Sequence, residues 1–379
     1  MQQVAESWLV YHLTNNPVWL GIVAGASALP YVSLSLYGGQ LADRHPRRNI
    51  LLITNAAAMV LAFLLAFLAW NGSPIPIKAW HIALMAAILG AVRAFMMPAQ
   101  QAFVIDIVED RRAIPGALAL NSLRFNLARF AGPVIAGIIL TRSGAAACFF
   151  WNGISFVAVI LSLSWMKMPH FKPGLRHLSI GEGISYILRE RSVLQIVMIV
   201  AIGSLLLWPV STLFPVFAHI YGVGKLGFSM MVAINGAGAA AAGVLLTGLS
   251  GRISRRRLVF TGAYGFGFSL LLFTVTPEYH YALLCLFLVG FCMILFGINA
   301  NTYVQECVPD AIRGRVMAVY TLVFGGLMPF GGLLLGFTAK HIGAILAVQI
   351  NAAIGLLLFT LSGLSEIRRK LVTHQHTVS

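Results

Sequence analysis

The amino-acid sequence predicts an all-α membrane protein made of two pseudo-symmetric six-helix bundles, with a truncated first helix. Of its 379 residues, 59% are hydrophobic and 10% are charged, whereas soluble proteins are about half apolar and about a quarter charged. The apolar residues form long runs, the basic residues collect in alternate gaps between these runs, and two gap motifs recur. This composition excludes a water-soluble enzyme, a disordered chain and a disulfide-rich secreted domain.

Eleven apolar runs of about 18 residues or more are long enough to cross a bilayer as helices. A shorter run at residues 4–13 has the pattern of the second half of a helix. With it, the expected number of membrane-spanning helices is twelve. Either the native chain starts upstream of Met1 and completes this helix, which we favour, or the protein has eleven full spans and an external N-terminus. The eleven runs lie at residues 18–42, 50–70, 79–106, 116–141, 145–166, 193–219, 228–250, 257–275, 280–305, 314–338 and 342–364.

The lysines and arginines indicate the orientation of these helices. Nineteen of the 26 lie in six gaps, which alternate with gaps that hold only four, and the other three lie inside runs. Because cytoplasmic loops are enriched in basic residues, we expect these six gaps and the C-terminus on the cytoplasmic side of a bacterial inner membrane. The net charge of +15 therefore reflects topology, and nucleic-acid binding is not expected.

Two motifs recur along the chain. Residues 41–48 align with residues 249–256 at an offset of 208, and Asp106 aligns with Glu306 at an offset of 200. Parallel internal repeats are typical of several transporter folds. The expected organisation is a six-helix bundle at 1–166, a cytoplasmic linker at 167–192, and a second bundle with a short cytoplasmic tail at 193–379.

Three of these segments carry a resemblance to a known family. Residues 39–48, GQLADRHPRR, are similar to the loop signature G-x-L-a-D-r-x-G-R-[RK] of the major facilitator superfamily, with Pro46 in place of the second glycine. Residues 90–99 resemble the family's membrane-embedded arginine motif. Gly132-Pro133 with Gly137 resembles its glycine–proline motif, which is associated with export.

The branch of the family is indicated by residues 8–14, together with Asn121, Asn126, Arg129 and Gly132-Pro133. They resemble the drug- and siderophore-exporter branch, which includes enterobactin and macrolide exporters. The resemblance implies a secondary active transporter that exports a small amphipathic compound, such as a siderophore or a drug, by alternating access with proton entry. An importer of a siderophore-like compound and a lysophospholipid flippase on the same fold are the alternatives.

Four residues at the predicted cytoplasmic helix ends are candidates for a gate: Asp43, Arg44, Arg47 and Asp106. A carboxylate there can accept charge-assisted hydrogen bonds and can face the positive N-terminus of another helix. The resemblance implies that Asp43 meets the start of the eleventh helix, around residues 314–318, and locks the outward-facing state. It also implies that Asp106 completes a cluster with Arg47. The alternative is that the arginines only determine topology in a solvated loop.

Two arginines are expected near the middle of the membrane. Arg93 and Arg129 lie about 13 or 14 residues into their runs, at a rise of 1.5 Å per residue. An arginine at that depth costs at least ~2.5 kcal/mol and needs a partner or a wet cavity. We expect both to line a cavity and to bind an anionic group or tune a proton site. The alternative is a structural pair with a helix carbonyl or with a side chain such as Asn126.

Glu6 is the one acidic residue of the first half that lies well away from the predicted cytoplasmic boundary. Desolvation disfavours the charged form of a carboxylate, which suits a proton carrier in the cavity. The alternative is that Glu6 lies in a frayed, hydrated helix start. Tyr11, on the same run, is expected either to line the cavity or to lie in the external aromatic belt.

Other kinds of site have no support in the sequence. No histidine pairs at i, i+4 with another histidine or a carboxylate inside a run, and no Gly-Lys-Ser/Thr loop is present, which argues against a membrane metalloenzyme and an ATP-driven pump. We therefore expect no cofactor. A tandem repeat in one chain favours a monomer with one pathway over a channel. The expected partners are a small-molecule substrate, the lipid bilayer and a proton.

Overall fold

The structure is a computed structural model that describes residues 1–107, 114–166, 180–249 and 253–378. Its regular elements are all helical, which confirms the all-α prediction. They are α1 (Gln2–Thr14), α2 (Pro17–Arg44), α3 (Arg47–Leu68), α4 (Ala79–Asp106), α5 (Ile114–Trp165), α6 (Ile180–Arg189), α7 (Arg191–Leu206), a 3₁₀ helix (Trp208–Leu213), α8 (Phe214–Ile220), α9 (Gly224–Leu249), α10 (Arg255–Val275), α11 (Tyr279–Cys307), α12 (Asp310–Ile342) and α13 (Ala344–Val378).

The expected number of twelve spans is not confirmed. Among the described residues, ten helical segments are long and apolar enough to cross a membrane. The predicted runs 116–141 and 145–166 are both helical within α5 and are separated at Gly144, whose φ of 81° interrupts the helix and favours glycine. The chain folds back there, since the Cys148 thiol lies 3.5 Å from the Ala136 carbonyl oxygen. The run at 4–13 forms α1, which has 13 residues and is too short to span.

Local sequence explains where the helices near the repeated motif begin and end. The Asn16 side chain accepts a 3.1 Å hydrogen bond from the Val18 N–H at the start of α2, and Pro17 occupies the first helical position. Pro46 lies between the end of α2 and the start of α3. Since proline has no backbone N–H to donate, it interrupts the helix at this point. At the start of α10, the Ser254 side chain accepts a hydrogen bond from the Arg257 N–H, as Asn16 does from Val18 at the start of α2.

Two pairs of long helices join the first half of the chain (α1–α5) to the second half (α7–α13): α2 with α12, and α5 with α9. Gly21 and Gly336 lie where α2 and α12 meet. A Cβ on Gly21 would lie 2.6 Å from the Gly332 carbonyl oxygen, and a Cβ on Gly336 would lie 2.9 Å from that of Pro17. These glycines allow close backbone approach, as small residues do at helix interfaces in membranes.

Residues aligned by the two repeat offsets form equivalent contacts. Arg47 pairs with Asp106 at 2.5 Å, and the aligned Arg255 pairs with Glu306 at 3.4 Å. Likewise, Gly90 packs against the backbone of Ser27, and the aligned Gly290 packs against the backbone of Asn235. The two halves thus share contacts as well as motifs.

The first part of the predicted linker, residues 167–179, lies outside the described residues. The rest forms α6, which packs against α12. Gly183 faces the backbone of Arg315, Glu182 forms an ion pair with the Arg315 guanidinium, and the Tyr186 hydroxyl donates a 3.1 Å hydrogen bond to the Cys307 carbonyl. The linker helix is therefore attached to the second half of the chain.

Candidate transport cavity

A cavity of about 440 Å³ lies between the two halves of the chain. The first half lines it with α1, α2, α4 and α5, and the second half with the 3₁₀ helix, α8, α9, α11 and α12. A volume of this size suits a small organic molecule. Two of the predicted cavity residues, Glu6 and Arg93, line it.

The two walls of the cavity differ in chemistry. The wall from the first half carries the charged side chains Glu6 and Arg93, whereas the described residues of the wall from the second half are uncharged and include the polar Ser211, Thr212 and Asn235. The aligned positions show the contrast directly: Phe214 is the counterpart of Glu6 at an offset of 208, and Met293 is the counterpart of Arg93 at an offset of 200. The larger apolar side chains of the second wall are Trp208, Phe214, Phe228, Met293 and Met328.

Glu6 is held by a short chain of side-chain amides. The Gln2 amide nitrogen donates a 2.7 Å hydrogen bond to one Glu6 carboxylate oxygen, and the Asn152 amide nitrogen donates a 2.7 Å bond to the Gln2 oxygen. Glu6 is only 8% exposed and Gln2 only 6%. Among the described residues, Glu6 is the buried acidic side chain. The helix start around it is thus packed and hydrogen-bonded.

Arg93 lies half-buried near the middle of α4, on the same wall as Glu6. In the described part of the chain, no hydrogen bond or ion pair of its guanidinium is found. This leaves the guanidinium available to a ligand or water in the cavity. The side chains of Asn126 and Arg129 lie outside the described residues, so their contacts, including a pair between Asn126 and Arg93, stay predictions.

Tyr11 is not among the residues that line the cavity. Its ring lies 6.0 Å from that of His219, edge to face, between α1 and α8. His219 is the aligned counterpart of Tyr11 at the offset of 208. The two rings therefore meet across the boundary of the two halves, at the helix ends predicted to be external.

The predicted gate residues lie at the junction of α2, α3 and α4. Arg47 forms a 2.5 Å ion pair with Asp106 and a 3.8 Å pair with Asp43, and its Nε donates to the Ala42 carbonyl. The Arg44 side chain is exposed. In the described residues, Asp43 has no bond to the 314–318 segment of α12, so that expected contact stays a prediction.

Three functional candidates were missed from the sequence. Arg48 donates hydrogen bonds of 2.7 and 2.6 Å to the carbonyls of Leu163 and Ser164, which ties α3 to the end of α5. Gln2 and Asn152 form the amide chain to Glu6. The alignment of Arg48 with Arg256 at the offset of 208 could have indicated the role of Arg48 from the sequence. Nothing in the sequence links residues 2 and 152.

Comparisons with known proteins identify the family. The profile of the family described as transmembrane secretion effector matches residues 1–376. The chain belongs to this family of the major facilitator superfamily. It is a multi-pass membrane transporter and not an enzyme.

Relatives of known activity are transport proteins. The chain is 27% identical to the Staphyloferrin A transporter of Staphylococcus aureus, with 92% of this chain and 87% of that protein covered. It is 21% identical to Macrolide efflux protein A of Streptococcus pyogenes, over 90% and 86%. It is 24% identical to the multidrug efflux pump Tap of Mycobacterium tuberculosis, over 88% and 81%.

Solved structures show the same fold at lower identity. A nucleoside transporter superposes with a TM-score of 0.74 at 12% identity, covering 96% of this chain and 93% of that one. A peptide transporter superposes with a TM-score of 0.73 at 13% identity, covering 97% and 91%. The cavity thus belongs to a fold that carries small solutes in other proteins.

Proposed function

We propose that this protein is a secondary active exporter of small amphipathic organic molecules, such as siderophores or drugs, in a bacterial inner membrane. The observation that carries the proposal is the two-faced cavity: a charged wall with Glu6 and Arg93 opposite an uncharged wall with the large apolar side chains Trp208, Phe214 and Phe228. Such a cavity fits a substrate with one polar end and one apolar body. The names of two relatives, Macrolide efflux protein A and the multidrug efflux pump Tap, support transport out of the cell.

We propose that the coupling ion is the proton and that Glu6 binds it. A buried carboxyl in a cavity wall can exchange its charge on proton binding, and Arg93 on the same wall can compensate the charged form or bind an anionic group of the substrate. Competition between proton and substrate at one wall couples the two flows, since a ligand shifts the conformational equilibrium only through a differential affinity. We further propose a monomer with a cytoplasmic C-terminus.

The proposal is tested in inverted membrane vesicles whose lumen is acidified, with erythromycin and a panel of siderophores as probes. Export appears as proton-dependent accumulation in the lumen. Glu6→Gln should abolish accumulation against a gradient, whereas the matched control Glu278→Gln, at an exposed position at the start of α11, should retain it. Accumulation only in right-side-out vesicles would identify an importer, and accumulation of lysophospholipid alone would identify a flippase.

A further inference from the structure

The polar chain from α5 to Glu6 has a defined direction. The Asn152 amide nitrogen donates to the Gln2 oxygen at 2.7 Å, and the Gln2 amide nitrogen donates to the Glu6 carboxylate at 2.7 Å. Asn152 lies on α5 beyond the break at Gly144, and it reaches α1 across 150 residues of sequence. Gln2 and Glu6 are both buried, so each bond replaces water that these groups would otherwise hold.

A side-chain amide has one accepting end and one donating end. Because Asn152 occupies the accepting end of Gln2, the donating end of Gln2 is directed at Glu6. We propose that Asn152 is a positioning residue for proton binding at Glu6 and that it acts through Gln2. This inference rests on the proposed function, in which Glu6 takes the coupling proton.

The hydrogen bonds from Asn152 through Gln2 to Glu6 can also form with a protonated Glu6 carboxyl, if the two amide side chains turn over. A neutral Glu6 has an O–H that donates, so Gln2 turns its oxygen toward Glu6 and its NH₂ toward the Asn152 oxygen. Each of the three groups keeps at least one partner in both states, which avoids the cost of leaving a whole buried group unpaired. Lysine or arginine at either position could not reverse, since neither has an accepting atom.

Few charged groups surround Glu6. In the described residues, Arg93 faces it from α4, and α5 contributes the Cys148 thiol to the same region. The described cavity-lining residues of α2, α8 and α9 are uncharged. Among the described residues, the charge state of Glu6 therefore depends on its burial, on Arg93 and on the hydrogen bond from Gln2.

The test is an infrared titration of the purified protein in liposomes, which needs no substrate. The carbonyl band of protonated Glu6 is isolated as the difference between each protein and the same protein carrying Glu6→Gln. The titration is repeated for Gln2→Leu, Asn152→Leu and the double variant. Ser155→Ala is the matched control, because the Ser155 hydroxyl bonds only the Asn152 backbone carbonyl on the same helix.

Charge-assisted hydrogen bonds are about twice as strong as neutral ones, so Gln2 favours the charged form of Glu6 overall. Gln2→Leu should move the midpoint of the Glu6 band upward by about one pH unit. Asn152→Leu should move it in the same direction by a smaller amount. The double variant should match Gln2→Leu, since Asn152 has no route to Glu6 without Gln2, and Ser155→Ala should match the wild type.

An unchanged midpoint in Asn152→Leu would overturn the proposal, and so would two shifts that simply add in the double variant. A shift of equal size in Ser155→Ala would also overturn it, because the effect would then come from the helix backbone. Failure of the proposed function has a different signature. Undiminished proton-driven transport by Glu6→Gln would remove Glu6 from the coupling, whatever the infrared titration shows about Asn152.

Discussion

Replacing Gly21 by alanine should force the outer halves of α2 and α12 apart. The added Cβ would lie 2.6 Å from the Gly332 carbonyl oxygen and 3.1 Å from the Leu333 Cα. Both atoms belong to the backbone of α12, so no rotamer change can make room. Gly25 provides a matched control one turn along α2. A Cβ there would lie 3.5 Å from the Leu333 side chain, which is an ordinary contact.

The size of the effect follows from the overlap. Ordinary contact begins at 3.4 Å, so α12 must move by about 0.8 Å at this point or the contact must open. Overpacking of this kind typically costs about 1–3 kcal/mol. The cost falls only on conformations in which α2 and α12 touch here, so the population should shift about 5- to 150-fold toward conformations in which they are separated.

The assay is a distance measurement between spin labels at His12 and His341, two exposed positions near these helix ends, in a background without the four native cysteines. Gly21→Ala should add a longer-distance population and reduce transport, and Gly25→Ala should leave the distribution unchanged. A Gly21→Ala distribution identical to that of Gly25→Ala, in folded protein, would refute the reasoning that the contact between Gly21 and Gly332 determines how often the ends of α2 and α12 touch.

Three further predictions concern charged side chains. Arg93→Lys should lower transport at least tenfold despite keeping the charge, because lysine lacks the planar fork of donors; equal transport rates in the two proteins would show that a charge alone suffices. Asp106→Asn should lower the melting temperature and transport more than Asp43→Asn, since Arg47 lies 2.5 Å from Asp106 and 3.8 Å from Asp43, and the reverse order in thermal unfolding would contradict this. Glu182→Arg should loosen α6 from α12 and increase proteolysis of the linker, and the added Arg315→Glu should restore protection; without restoration, the ion pair is not what attaches α6.

The sequence alone determined that the protein is a helical membrane protein, since the length, apolarity and charge placement of a helix do not depend on its neighbours. Transport was implied by the resemblance of its motifs to the major facilitator superfamily. The resemblance of residues 39–48 to the family's loop signature also implied the Arg47–Asp106 pair, and the second half repeats the arrangement with Arg255 and Glu306. The number of spans was predicted less well. Ten candidate spans are found among the described residues instead of twelve, although the two predicted runs within α5 are both helical and are separated at Gly144.

Only the tertiary structure decided which faces of the helices meet. The partnership of Asn152 with Gln2, the contact between Gly21 and Gly332, and the large apolar side chains opposite Glu6 all depend on the rotation of each helix about its axis. Nearly every helix here is apolar on all sides, so hydrophobic periodicity gives little indication of that rotation. In a bilayer, lipid and protein neighbours are equally apolar, and close packing and polar contacts between distant segments determine the arrangement.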